Sequence, residues 1–525
     1  MNGRVLGFLF ILSLPCVAQN VPKEELPGFR SISSDDLRRI VAVLTSDSLE
    51  GRETSYPGQK RAAQFLADEF RSTGLKPVGD NGTYFQHFDV TVTRVDPSSS
   101  LTVASGDETR TYRWGELFVS DNARDTTIEG SVVFVGYADS ELQPGADSLL
   151  AGKVVMMLAG KRLAAGDTSR VTAMRRLFAQ RKDHGVAATL VITDDAGSAS
   201  FDQVSNIIRG YSVVKGSMRL VGGRAPAFSS LVPRLFISPA LAQLILSYAG
   251  LTLADARRSA QHEEPFAPVA IRNLRIRLES RILREQRSSE NVVGIIEGSD
   301  PDLRNQVVVF SAHYDHLGIN PKGEIFRGAD DDASGTSIVV ELARAFTRNP
   351  QRPRRSLLFL TVAGEEKGLL GSQYYTTNPI VPLERTMADL NIDMIGRVDT
   401  THGRRGEEHY VYVIGSNKIS AELDSLLRTA NAATERLTLD YTYDDDADPE
   451  QLYRRSDHYN FARRGVPVAF FFTGLHEDYH QPSDTPEKIL YDRMASIGRV
   501  IYSAAWELAN FSRALSKNPG AELAH

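Results

Sequence analysis

Cysteine is all but missing from this chain: Cys16 is the only one in 525 residues. It lies in a leader-like stretch where Arg4 precedes the apolar run from Val5 to Leu14, and Cys16-Val17-Ala18 before Gln19 has the small-x-Ala form of a signal-peptidase site. Cut near Ala18, the chain keeps no thiol. Disulfides and thiolate metal sites are thereby excluded, and any metal falls to His, Asp and Glu. Long hydrophobic runs are absent too. No later stretch reaches about 18 apolar residues, so no transmembrane anchor is expected in the mature chain. Basic runs are also lacking, and a net charge of −6 is small for this length, which argues against nucleic acid or an anionic membrane as partner. The expectation is an exported protein, periplasmic or secreted. A lipoprotein acylated on Cys16 is the minor alternative, disfavoured by Pro15. Charge leaves the oligomeric state open.

What is present is soluble globular composition, 42% hydrophobic and 24% charged, in a chain long enough for two or three structural units. Residues 31 to 75 read as helical, with Ser34 as a cap for the run through Leu44 and a second helix from Gly58 to Gly74. From about Asp89 to Ile282 short β-like runs take over, such as 130–137, 153–158 and 187–193, with Gly/Asp/Ser turns between them. That middle segment has no cluster of His and acidic residues. After Glu290, apolar strands alternate with helices: 291–297, 306–312, 355–363, 388–395, 409–414 and 466–473 read as strands, 334–346 and 419–434 as helices. Such alternation predicts an α/β fold with a mostly parallel sheet covered by helices on both faces, and a crevice at the carboxyl ends of its strands.

Polar groups gather at those strand ends. Val307-Val-Val-Phe-Ser-Ala-His313 runs into Asp315, and Asp330-Asp331-Asp332 stands before a helix. Ser356 to Ala363 ends in Glu365-Glu366, Ala388 to Ile392 in Asp393, and Val466 to Thr473 leads to Asp478-Tyr479-His480. A single histidine after a strand is usually a satisfied one, and an Asp triplet before a helix is usually an N-cap. Five such features on successive strands, mixing imidazole with carboxylate, are not explained that way, because repelling carboxylates on one rim need cations between them. Zinc is the default for this donor set, with cobalt or manganese possible. The surplus of carboxylates favours two ions sharing an aspartate, which together activate a water and polarise a carbonyl. A further carboxylate is then needed to carry the proton.

These motifs, SAHYDHLG, GADDDASG, AGEEKGLLGS, LNIDMIG and DYHQPSDT, resemble in order and spacing those of the M28 family of metallopeptidases, the co-catalytic zinc aminopeptidases. The segment Leu49-Glu-Gly-Arg-Glu-Thr54 also resembles the family's N-terminal part. The resemblance implies a zinc-exopeptidase, phosphorylase/hydrolase-like fold with a discontinuous catalytic domain, residues 19–100 and 285–515. It further implies an inserted protease-associated, β-rich domain at 101–284, after a signal peptide at 1–18 and before a flexible tail at 516–525. It implies His313, Asp331, Glu366, Asp393 and His480 as ligands of two Zn²⁺, Asp331 bridging them and joined to Asp332 by a cis peptide. Glu365 would be the general base, and Asp315 the carboxylate that orients the His313 imidazole. Asp332, Asp457 and Tyr479 stand as weaker candidates for supporting or substrate roles, Tyr479 as a donor to the oxyanion. Arg397 reads as an ion-pair partner rather than a contact for a substrate carboxylate, and 444–450 as a solvated acidic loop. The implied activity is removal of N-terminal residues from a peptide substrate. A carboxypeptidase or dipeptidase on the same scaffold is the alternative, followed by a one-zinc, glutaminyl-cyclase-like acyl transferase and by a binding protein with a vestigial site.

Overall fold

The computed structural model describes residues 26–121, 124–137, 142–159, 185–193, 199–223, 232–262 and 265–520. The expected leader, Cys16 included, and residues 521–525 of the expected tail lie outside them. One sheet has ten strands in the order Thr438–Asp440, Tyr410–Ile414, Val468–Phe472, Thr386–Ile392, Val307–His313, Ser356–Val362, Ile282–Ile296, Phe85–Val95 and Ser217–Leu220, with Lys76–Pro77 beside 282–296. The strands at 468–472, 386–392, 307–313 and 356–362 pair in parallel, and the flanking strands at 282–296 and 410–414 run antiparallel to them.

The three central strands are buried along their whole length, as expected where helices cover both faces. Alternate residues supply the two cores. Val308, Phe310, Leu357 and Phe359 point into the core shared with the helices Ser34–Leu44, Pro57–Thr73, Gly335–Thr347 and Tyr491–Asn510, while Val307, Val309, Leu358 and Leu360 point into another with Tyr375 and Phe461. The Gly335–Thr347 helix starts hard against the sheet: a Cβ on Gly335 would stand 2.1 Å from the Ile392 carbonyl oxygen.

Between Val95 and Ile282 the chain builds a second sheet of eight strands, centred on Val269–Ser280, Thr126–Tyr137, Val154–Leu158 and Ala188–Ile192, with its own core. The β-like texture was only part of this region. It also contains the helices Phe201–Ile208, Pro239–Ser247 and Leu253–His262, the first two begun by Ser200 and Ser238, whose side chains accept from the backbone three residues on. Ser217–Leu220 leaves this region to extend the edge of the large sheet.

Two local expectations are corrected near the N-terminus. Ser33, not Ser34, caps the helix Ser34–Leu44, accepting from Asp36 N–H. The helical stretch is interrupted at Asp47–Arg52, where Glu50, Gly51 and Arg52 all take positive φ. The interruption lets the buried Arg52 guanidinium donate to the carbonyls of Tyr314 at 2.8 Å, Arg327 at 2.7 Å, Gly328 at 2.9 Å and Leu44.

Candidate metal centre

His313 is the last residue of its strand and Asp393 follows directly after Thr386–Ile392. Asp331 sits in the turn Ala329–Ser334, Glu365 and Glu366 follow Ser356–Val362, and His480 lies in the loop beyond Val468–Phe472. Parallel strands deliver all of them to one edge. The five residues expected as ligands meet there, with Asp331 between two groups. Its Oδ1 is 3.2 Å from His313 Nε2, which is itself 3.5 Å from Asp393 Oδ1. Its Oδ2 is 3.1 Å from His480 Nε2, which is 3.2 Å from Glu366 Oε2.

The surrounding bonds hold each group and leave the facing lone pairs free. Asp484 accepts from the Asp330 and Asp331 N–H groups, and Asp330 in turn accepts from Gly396 N–H and lies 3.1 Å from His476 Nε2. Ser456 Oγ donates to Asp393 Oδ2 at 2.7 Å, so Oδ1 alone faces His313. Asp393 Oδ1, Asp331 Oδ2 and Glu366 Oε1 are buried without a hydrogen-bond partner among the described residues. Orphaned carboxylate oxygens are costly unless a cation takes them, so the donor set fits two divalent ions.

Charge separates the two neighbouring glutamates. Burial pushes the Glu365 carboxyl well above its ordinary range; His313 opposes this while Glu366 and Asp393 add to it. Glu366 is held down at about 2, because the His316 and His480 imidazoles outweigh burial and the Asp331 charge. Burial would lower the His313 pKa, but Asp393, Glu365 and Asp331 raise it well above normal. Glu365 Oε2 stands 4.0 Å from His313 Nε2, at the edge of the group rather than within it. The turn that parts the two glutamates starts at Gly364, with φ +81°.

The Asp331–Asp332 peptide is cis. Asp332 takes the N–H groups of Gly335, Met394 and His313, so it ties strand ends to the helix start. The Asp315 carboxylate accepts from Thr54 Oγ1 at 2.6 Å and Glu365 N–H at 3.2 Å; at 3.8 Å it is too far to hydrogen-bond His313 Nδ1, which faces the Asp315 carbonyl at 3.2 Å. Asp457 accepts from Ser372 Oγ, and burial pushes its carboxyl up to about 7. The Tyr479 ring stacks on His480 with centroids 3.8 Å apart, and its hydroxyl lies 3.5 Å from Arg455. Arg397 pairs with Asp478 at 3.0 Å. In the acidic loop Asp445, Asp446 and Glu450 are exposed, but Asp448 is buried and accepts from Glu450 and Leu452 N–H, and half-buried Asp444 accepts from Gly415 N–H, so the loop is only partly solvated. The second region reaches this edge through Lys215, which donates to the Leu317 carbonyl and lies 3.5 Å from Glu53; Lys367 pairs with Glu53 at 2.9 Å.

Three further residues shape this edge. His316 stands 2.8 Å from Glu366, Arg52 clamps the flanking loops, and Ser456 orients Asp393. For His316 the signal was the spacing His313-x-x-His316; Arg52 lay inside the segment Leu49–Thr54 and Ser456 beside Asp457, but nothing in either segment marked where the side chain would point.

The molecule is an α/β protein whose central strands end in a cluster of imidazoles and carboxylates fit to hold metal. A solved structure of the aminopeptidase from Aneurinibacillus sp. strain AM-1 superposes with a TM-score of 0.55 at 17% identity, over 94% of this chain and 97% of that one, a likeness of fold. Residues 291–505 match the family model of peptidase family M28. Aminopeptidase YwaD of Bacillus subtilis (strain 168) is 28% identical over 232 residues, 42% of this chain and 45% of that protein. A probable zinc metalloprotease of Pyricularia oryzae is 34% identical over 267 residues, 42% of this chain and 50% of that protein. The chain thus spans about half the length of these curated relatives. Among the described residues no helix is long and apolar enough to cross a membrane.

Proposed function

We propose that the chain is an exported, zinc-dependent aminopeptidase that removes N-terminal residues from peptides. The observation that carries this is Asp331, whose two oxygens face two separate donor sets, His313 with Asp393 and His480 with Glu366. In this reading those residues would hold two ions, one Asp331 oxygen being available to each donor set. When bound, the ions lower the pKa of a water and polarise the scissile carbonyl. Glu365, beside the donor sets and not within them, takes the proton of the attacking water and passes it to the leaving amine. Asp315 and Asp332 hold the strand ends, Ser456 aims Asp393, and Tyr479 fixes the His480 ring by stacking. We further assign residues 101–284 as an inserted protease-associated domain, since between Val95 and Ile282 the chain builds a second sheet and joins the large one through the edge strand Ser217–Leu220.

Export is supported by the leader-like sequence before Gln19. The carboxypeptidase reading is disfavoured because Arg397, the cation considered for a C-terminal carboxylate, is taken by Asp478. Two separate substitutions test the assignment. Glu365→Gln should keep two zinc ions per chain while hydrolysis of aminoacyl anilides falls by several powers of ten; Glu366→Ala should lose metal. Retained hydrolysis in Glu365→Gln removes the proton-carrier role. Cleavage of N-acetylated peptides as fast as free ones removes the aminopeptidase reading.

A further inference from the structure

His316 has no part in the mechanism above, yet it is wholly buried at the same edge. Its backbone N–H donates to the Arg52 carbonyl at 3.2 Å. Its ring lies directly over Gly328, which has φ +55° and where a Cβ would stand 2.5 Å from the His316 Cγ. Arg52 grips the backbone on both sides of this contact, at the Tyr314 and Gly328 carbonyls. The direction of the imidazole is therefore set by backbone, and it is aimed at carboxylates: Nδ1 is 2.8 Å from Glu366 Oε1 and 3.8 Å from Asp331 Oδ2.

The short separation is not a hydrogen bond. Neither ring nitrogen of His316 has a hydrogen-bond partner among the described residues, and neither has Glu366 Oε1 or Asp331 Oδ2. Each buried polar atom left unpaired costs about 1–3 kcal/mol. A residue kept only for packing does not bring three such atoms, Nδ1 and two carboxylate oxygens, to one place. One divalent cation accepting lone pairs from all three does.

We propose that His316 ligates, through Nδ1, the ion held by Glu366 and Asp331 Oδ2, alongside His480. The proposal rests on the two-metal reading and adds to it an asymmetry. The position at His313 and Asp393 has one imidazole; the other has two, one locked in the interior and one on a loop with its side chain 35% exposed. Imidazole-rich positions suit zinc better than oxygen-only ones. The second position is then the tighter one, and it keeps three donors when His480 is removed.

The test uses the full-length protein loaded with cobalt(II), whose hyperfine-shifted ring N–H resonances in water count the coordinated imidazoles. With two ions bound, three exchangeable resonances are expected, from His313, His316 and His480. His316→Ala should show two, and chelator competition should show one ion bound about a hundredfold more weakly while the other is unchanged. Should His316→Ala fail to fold, the count on the unmodified protein still decides. Two bound ions with only two imidazole resonances overturn the assignment of His316 and leave the two-metal reading standing. Uptake of fewer than two ions overturns that reading and this assignment with it.

Discussion

His313 turns its Nδ1 to the backbone carbonyl of Asp315 at 3.2 Å and stands 3.8 Å from that residue's carboxylate. The carboxylate instead joins Thr54 to the Glu365 N–H, tying the strand end that precedes the two glutamates to the N-terminal segment. Asp315→Asn should therefore leave the imidazole oriented. Expected are two zinc ions at saturating metal and a loss of affinity of about tenfold, measured by competition with a chromophoric chelator, the low end of what outer partners of a ligand contribute. Loss of both ions in this variant would show that the carboxylate, and not the carbonyl, sets the ring.

Among the described residues Arg52 is a charge buried without a carboxylate in direct contact; burial brings its pKa down to about 10, with Asp331 and Asp315 opposing from a distance. Its donors are spent on four carbonyls from three segments, which a planar guanidinium can span and a single ammonium cannot. Arg52→Met should cost about 3–5 kcal/mol, because the carbonyls it leaves are buried. Arg52→Lys should cost less but still more than about 1 kcal/mol. Urea unfolding of the metal-loaded protein reads both. A change below that value in Arg52→Met would mean the loops at 314–316 and 327–328 hold together without it.

The strands of the central sheet, and the gathering of polar groups at their ends, were legible where sequence period and chemistry coincide. Val307–His313 and Ser356–Val362 are continuous apolar runs because both faces are covered, and the polar residue after each run marks the strand's carboxyl end. The role of Asp315 was not legible, since a carbonyl and a carboxylate of one residue are indistinguishable in sequence. His316 was visible as a letter and not as a direction: its aim depends on Gly328 and on Arg52, 264 positions earlier. The helices at 201–208 and 239–247 were missed because segments of two turns display little periodicity among short strands.

Chelation offers a test that needs no substitution. Asp331, Glu366 and Asp393 crowd one edge with oxygens unpaired among the described residues, and the folded chain alone presents them in this arrangement. Binding to the folded state stabilises it by about 2.7 kcal/mol when free metal is a hundredfold above the dissociation constant. Removing zinc with a chelator should lower the melting temperature by several degrees, and adding zinc back should restore it. An unchanged melting temperature would mean that this edge does not bind metal under those conditions.

Glu341 gives a pH dependence that is independent of the metal centre. It lies on the Gly335–Thr347 helix, fully buried, with neither carboxylate oxygen hydrogen-bonded by another side chain among the described residues. Burial and the Asp36 charge raise its pKa from 4.5 to about 7, against Arg344 and Arg348, which lower it. Those arginines do not neutralise it fully, since Arg344 is engaged by Glu69 and Asp36. Because the folded chain holds this proton to higher pH than the unfolded one, the contribution is complete below about pH 4.5 and is lost as pH rises towards 7. A shift of this size corresponds to roughly 3 kcal/mol. Glu341→Gln keeps the shape and removes the charge, so it should be more stable than the unmodified protein at pH 8, and the difference should shrink to nothing near pH 4.5. Parallel urea unfolding curves of the two proteins at these pH values measure it. An equal difference at both would show that folding does not raise the Glu341 pKa.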